Sequence, residues 1–261
     1  VRRQRQMCIR DSNYGDNVLC ILDKFDLQRR VFLSSLNSFL REENRKVYVL
    51  ADENDEFYRR MWKTLQDRSR ENTALEVYSD YGQICDAVRR LSEELVDRRS
   101  HQKKEEILIF WMGLESMLKE FSYYPAFRED NRRRENSPDD LEARLEAKMA
   151  AFLGETKPEE KEKEAELFNA TSKIVELVTE GGKRGIHQFV LYSSILSLKM
   201  AREIKTDNFK FKLSGFMNKD QCFEFYGTAK FMESMGEKAG DMLVCHDGNR
   251  GRFFLPYLVE E

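Results

Sequence analysis

Asn17-Val18-Leu19-Cys20-Ile21-Leu22-Asp23-Lys24-Phe25-Asp26-Leu27-Gln28-Arg29-Arg30 is the stretch on which the fold turns. Its apolar run, Val18 to Leu22, reads as a buried strand and the polar residues Asp23 to Asp26 as a loop. Beyond them a helix is expected, because Leu27, Val31, Phe32, Leu36, Phe39 and Leu40 recur at three- and four-residue intervals. Lys46 to Leu50 then returns to a strand, followed by an acidic turn at Ala51 to Glu56. Strand, helix and strand of these lengths make a parallel βαβ unit.

The alternation continues downstream. A helix is expected around Asp55 to Leu65, a short strand at Leu75 to Tyr78, and a helix from Tyr81 to Asp97 with Ile84, Val88, Leu91 and Leu95 on one face. Ile107-Leu108-Ile109-Phe110-Trp111 is the most continuously apolar run of the chain, as befits a central strand buried on both faces. From about residue 119 to 182 the composition turns charge-rich and helical. Ser137-Pro138 is a helix start, Gly154 to Glu160 a break and Gly181-Gly182 a stop. The stripes Leu141, Leu145, Met149, Phe152 and Leu167, Ile174, Val178 predict a helical insertion packed over the core. Strands resume at Ile186 to Ser193 and Lys210 to Phe216. Met242 to Cys245 and Arg252 to Leu255 flank a turn rich in Asp, Asn and Gly, the signature of a C-terminal hairpin. The class is α/β, with a mainly parallel central sheet flanked by helices. Residues 13–261 read as one domain, and residues 1–12, polar and unpatterned, as a leader foreign to it.

Composition narrows the function. With 44 basic against 47 acidic residues the formal charge is -3, so no global basic field marks nucleic acid. Local basic groups remain at Arg132-Arg133-Arg134, flanked by Glu129, Asp130 and Glu135, and at Lys183-Arg184. Five cysteines without a C-x-x-C pair and three histidines apart from them indicate neither a disulfide framework nor a metal centre, and fit a reducing cytoplasm. No apolar run reaches the length of about 20 residues that a bilayer crossing needs.

Three strings, in order, carry a resemblance: Gly185-Ile186-His187 entering a strand, Ile204-Lys205 through Lys212, and Gly240-Asp241-Met242-Leu243 before the terminal hairpin. With the order of elements from Asn17 to Glu261, they resemble the FtsK/SpoIIIE motor domain, a RecA-like P-loop NTPase fold found in type VII secretion ATPases and DNA translocases. The resemblance implies a phosphate loop, G-x-x-x-x-G-K-[ST], after the first strand. Its glycines would admit phosphate to backbone N–H groups, its lysine would reach the β and γ oxygens, and its hydroxyl would bind Mg²⁺. This chain reads Asp23-Lys24-Phe25-Asp26-Leu27-Gln28-Arg29-Arg30 there. Asp23 and Gln28 replace the glycines, Arg29 the lysine and Arg30 the hydroxyl, and Asp23 and Asp26 would repel a polyphosphate.

The resemblance also implies an Asp-Glu pair ending the central strand, where Met112 and Gly113 stand, with Glu115 about two residues too far along. A polar sensor glutamine is implied near the γ-phosphate, where Ser193 and Ser194 stand. Three sites for one chemistry have lost their groups, so no catalytic residue, metal ligand or cofactor is expected. The expectation is a degenerate ATPase-like scaffold, docking or regulatory module of a larger translocase or secretion motor. Its partners would be neighbouring ATPase domains, with a secretion substrate or DNA as further ligands. Its parent would be anchored in a membrane that this segment does not itself touch. Two alternatives stand beside it: an active NTPase or DNA translocase using ATP and Mg²⁺ through Glu115 with Arg29 and Arg30, and a nucleotide-independent nucleic-acid module gripping through Arg132 to Arg134, Lys183 and Arg184. His187 and His246 read as structural, Trp111 and Tyr123-Tyr124-Pro125 as packing, and the spacing of Phe223 and Phe231 as that of buried helix positions.

Overall fold

Strand β1 (Val18–Ile21) passes into helix α1 (Phe25–Leu40) through only Leu22, Asp23 and Lys24. The computed structural model describes residues 17–101, 105–123, 168–229, 243–246 and 251–254. The remaining elements are β2 (Arg45–Ala51), α2 (Glu56–Glu71), β3 (Leu75–Tyr78), α3 (Tyr81–Ser100), β4 (Glu106–Met112), α4 (Leu114–Tyr123), α5 (Ala170–Glu180), β5 (Ile186–Tyr192), α6 (Ile195–Met200), β6 (Phe211–Ser214), α7 (Lys219–Tyr226), β7 (Leu243–His246) and β8 (Gly251–Phe254). The leader, most of the helical insertion, Arg132 to Arg134 and the Gly240-Asp241-Met242 string lie outside the described residues.

Eight strands form one sheet in the order β3-β2-β4-β5-β1-β6-β7-β8. Pairing is parallel from β3 through β6 and antiparallel for β6–β7 and β7–β8, so the terminal hairpin extends one edge. The first βαβ unit forms as expected in direction but not in adjacency. From β1 the chain skips two strand positions, later filled by β5 and β4, before laying down β2.

Alternating side chains split the core in two. Leu19, Ile21, Ile109, Trp111 and Val190 face α3 to α7, whereas Cys20, Leu22, Leu108, Phe110 and Phe189 face α1 and α2. Burial on both faces makes β4 apolar from Ile107 to Met112 and β5 from Phe189 to Tyr192, with the polar His187 and Gln188 buried at the start of β5. On the α1/α2 side a chain of aromatic contacts joins Phe25 to Phe57, Phe57 to Phe32, Phe32 to Phe110 and Phe110 to Phe189, with centroids 4.7 to 5.8 Å apart.

The opposite side is fixed by a buried amide network. Trp111 Nε1 donates to Gln188 Oε1 at 2.8 Å, and Gln188 Nε2 donates to the carbonyls of Ile186 and Leu177 at 3.1 and 3.3 Å. Asn17 Oδ1 accepts from the Gln188 backbone N–H at 3.0 Å, and its Nδ2 donates to the Val178 carbonyl at 2.6 Å. β1, β4, β5 and α5 are thereby tied at one depth. Gly181 makes room for this, since a Cβ there would stand 2.7 Å from the Ile186 carbonyl oxygen and 3.1 Å from Gln188 Nε2.

Two sequence expectations change. Phe223 is 55% exposed, whereas Phe225 is fully buried, so the inward face of α7 is set by Cys222, Phe225 and Tyr226. The loop expected from Asp23 to Asp26 is shorter, because Phe25 and Asp26 already belong to α1. His187, read as structural, is buried, with its Nε2 paired with Glu106 Oε2. Cys20, Cys85, Cys222 and Cys245 are buried thiols. Among the described residues no helix is long and apolar enough to cross a membrane.

Gln188→Met strands the Trp111 N–H in the core, and is expected to cost about 2–4 kcal/mol in urea unfolding. Combined with Trp111→Phe, which removes the stranded donor, the loss should fall below the sum of the single losses. Strict additivity would show that the network does not act as a unit.

Candidate functional site

In an open α/β sheet, ligands gather outside the carboxyl ends of the strands where the winding direction reverses. Here the chain leaves β1 towards β2 on one side and leaves β5, after Tyr192, towards β6 on the other. The cleft that opens beside this point has a volume of about 130 Å³. Its lining comes from the end of β1 and the start of α1 (Asp23, Phe25, Gln28), the start of α2 (Asp55, Glu56, Phe57, Arg60) and the end of β5 (Leu191, Ser193).

Local sequence explains each contribution. Asp55 is the N-cap of α2, accepting the Tyr58 N–H at 2.9 Å, and holds Glu56 and Phe57 at the cleft. Gln28 reaches back from α1 to donate from Nε2 to the Leu22 carbonyl at 2.7 Å, closing the end of β1 with a side chain. Arg60 lies 3.5 Å over the Phe25 ring.

Of the residues read from the sequence as a degenerate phosphate loop, only Asp23 and Gln28 line the cleft. Asp26, Arg29 and Arg30 lie inside α1, so the arginines stand in the second turn and not at the helix N-terminus where free N–H groups gather an anion. Ser193 joins the cleft, whereas Ser194 caps α6 through Ser197. Lys183 and Arg184 sit at the opposite, amino-terminal end of β5, where the Arg184 carbonyl accepts from Arg98 at 2.9 Å.

At the end of β4, Met112 is buried and Gly113 adopts φ +71°. A Cβ at Gly113 would stand 2.9 Å from Asp52 Cβ and 3.2 Å from Asp55 Cβ, so position 113 has no room for an acidic side chain. Two carboxylates, Asp52 just after β2 and Asp55 at the cap of α2, crowd the place where the resemblance implies an acidic residue that this chain replaces with Gly113. Glu115, in the first turn of α4, adds a third nearby. Its Oε2 is buried without a hydrogen-bond partner, as is the hydroxyl of Tyr192, which is 1% exposed and feels the Glu115 charge. Burial, then Glu115, raises the Tyr192 pKa, and burial followed by the Asp52 carboxylate raises that of Tyr81.

Burial also pushes the Asp55 carboxyl from 3.8 up to about 6. The Tyr58 N–H opposes that rise, and the charges of Glu115 and Asp52 add to it. Among the described residues no three His, Cys, Asp or Glu side chains are disposed to hold a metal ion. The residues do not fit a nucleoside triphosphate with Mg²⁺. The three-residue turn contains no glycine, carboxylates stand where phosphates would lie, and the cleft is well below the ≈ 300 Å³ at which small-molecule pockets begin. Asp55, Glu56 and Arg60 escaped sequence reading. Their one signal was the acidic turn before α2.

No family model matches the sequence, and no curated protein matches it. Solved structures do. EccC (ATPases 2 and 3) of Thermomonospora curvata, in complex with a signal sequence peptide, superposes with a TM-score of 0.52 at 11% identity, over 92% of this chain and 37% of that one. EssC (ATPases 2 and 3) of Geobacillus thermodenitrificans gives 0.56 at 10% identity, over 95% and 41%. The chain thus spans about two fifths of the length of these structures and shares their fold, the RecA-like P-loop NTPase fold.

Because Asp55 holds its proton more tightly folded than unfolded, the folded state loses stability as pH rises through the window from 3.8 to about 6. Asp55→Asn keeps the cap and removes the penalty. It should raise unfolding free energy by about 1–3 kcal/mol at pH 7.5 and leave it unchanged at pH 3.5. An equal gain at both pH values would assign the effect to something other than ionisation.

Proposed function

We propose that this chain is a catalytically silent ATPase-fold module that docks against, or regulates, active motor domains of a larger secretion or translocation assembly. The observation that carries the reading is the Leu22–Lys24 turn. It enters α1 before any phosphate cradle can form, and Gln28 fills the strand end that such a cradle would leave open. The module needs neither ATP nor Mg²⁺, and its partners are proteins: neighbouring ATPase domains foremost, and a secretion substrate second. Two features support this. The similar EccC and EssC structures each hold two ATPases and are matched over roughly the length of one, and the EccC structure carries a bound signal sequence peptide. On this reading the parent works in the cytoplasm and another segment of it is anchored in a membrane.

An NTPase acting through Glu115 is the competing reading, and the buried, unpartnered Oε2 of Glu115 favours it. The two separate on titration of the chain with ATP and Mg²⁺ by calorimetry and thermal shift. At ligand concentrations 100-fold above Kd, binding to the folded state alone stabilises by ≈ 2.7 kcal/mol, a rise of several degrees in Tm. No heat and no rise at millimolar ATP is the expected result. A Mg²⁺-dependent rise, with hydrolysis lost in Glu115→Gln, sinks the proposal.

A further inference from the structure

At the edge of the sheet away from the terminal hairpin stands β3, and among the described residues no strand pairs with its outer side. The pairing with β2 decides which backbone groups that edge presents. Val47 lies opposite Leu75 and donates its N–H to the Ala74 carbonyl at 2.8 Å, so Ala74, Glu76 and Tyr78 turn their backbone groups towards β2. Those of Leu75 and Val77 turn outward. The Leu75 N–H is taken by the Asn72 carbonyl at 3.1 Å, which leaves the Leu75 carbonyl and both groups of Val77 facing out. β3 carries no lysine or proline and its register with β2 runs without a bulge, so three devices that guard an edge against pairing are missing.

Side chains on both faces of the edge point the same way. Leu75 and Val77 face α2, whereas Tyr78 and, by alternation, Glu76 face α3. Helix α2 meets α1 through Phe57, Arg60 and Arg68, and Trp62 lies about 140° round the helix from Phe57, on the side away from α1. Trp62 therefore overhangs the open edge, packed on Tyr58 at 5.5 Å and still 41% exposed. On the other face Arg90 donates to the Tyr78 hydroxyl at 2.8 Å and lies 3.7 Å from Glu76 Oε2. Acid and base standing together on so short an edge are complementary to the same pair turned through half a circle. We infer that the β3 edge is the docking surface for a second copy of this chain, joined antiparallel across a two-fold axis normal to the sheet. Such an axis keeps α2 on one side in both copies, so opposed residues share a face and outward backbone groups meet outward ones. Setting Leu75 against the partner's Val77 would oppose Glu76 to the partner's Glu76 and meet an N–H already taken. Setting Val77 against the partner's Val77 avoids both. That register exchanges N–H···O bonds between the two valines, brings both Trp62 rings to one side of the seam and places Glu76 opposite the partner's Tyr78 and Arg90. The surface is separate from the cleft and independent of the silent-ATPase reading.

The test is sedimentation velocity of the full chain from low to high micromolar concentration, where a reversible monomer–dimer equilibrium is expected of a small interface. Val77→Pro removes only the outward N–H, which makes no bond to β2. It should raise the dimer Kd about tenfold or more while the circular dichroism of the fold is retained. Glu76→Arg and Arg90→Glu should each weaken the dimer about tenfold or more through like charges across the axis. An equimolar mixture of these two variants should associate again, because each chain then meets the opposite charge on the other. Recovery on mixing reads a contact between chains, since a contact within one chain is untouched by a second variant. Should Val77→Pro fail to fold, the two charge variants carry the test, because the Arg90 side chain is 55% exposed and its replacement leaves the core intact. A wild-type chain that stays monomeric throughout, a dimer indifferent to a folded Val77→Pro, or charge variants that do not recover on mixing each overturn the inference.

Discussion

Everything in this sheet hangs on placing β1 between two strands that arrive far later in the chain, and the buried amides of Asn17 and Gln188 fix that placement. Their hydrogen bonds reach β4 through Trp111 and α5 through the Val178 and Leu177 carbonyls. Apolar packing alone would tolerate a slipped register, because each strand alternates between two equally apolar faces. A buried amide does not, since a shift of one residue would leave donors and acceptors unpaired in the core. Specificity here comes from polar groups, with the hydrophobic layers supplying most of the stabilisation.

With register fixed, the carboxyl ends of β1, β2, β4 and β5 fall at one level, and the character of that end follows. Gly113 removes a side chain from β4, and Asp52 and Asp55 from β2 and α2 move into contact with it. The same end that would hold phosphates in a nucleotide-binding relative is here short-looped, acidic and plugged by Gln28. The substitutions are therefore coupled in space. Asp55, its carboxyl pushed up by burial and further by the charges of Glu115 and Asp52, stands at this end.

Strand identity and fold were legible in the sequence because β4 from Ile107 and β5 from Phe189 are buried on both faces and read as apolar runs. Helices with one buried face, α1 to α3, announced themselves by spacing. The start of α1 was misplaced by two residues, because Phe25 and Asp26 look like loop to any local pattern. Phe25 is helical through its non-local contact with Phe57. The cleft was half legible. Asp23, Gln28 and Ser193 follow strand ends that can be counted, but Asp55, Glu56 and Arg60 arrive from α2 by tertiary packing that no local pattern encodes. Phe223 was read as buried and is exposed for the same reason, since a short helix offers too few turns for spacing to decide which aromatic faces inward.

The seating of β1 also sets a timetable. Val18 pairs with Phe189 on one side and with Phe211 on the other, so both hydrogen-bonding edges of the first strand wait for residues about 170 to 190 positions downstream. During synthesis β2, β3 and β4 can associate from neighbouring sequence, while β1 remains an unpaired apolar strand. Such a strand can meet the edge of another nascent chain before its own partners exist. The topology that brings the strand ends together therefore makes the first-made strand the last to be sheltered, and lays the burden of correct folding on whatever shields it in the interval.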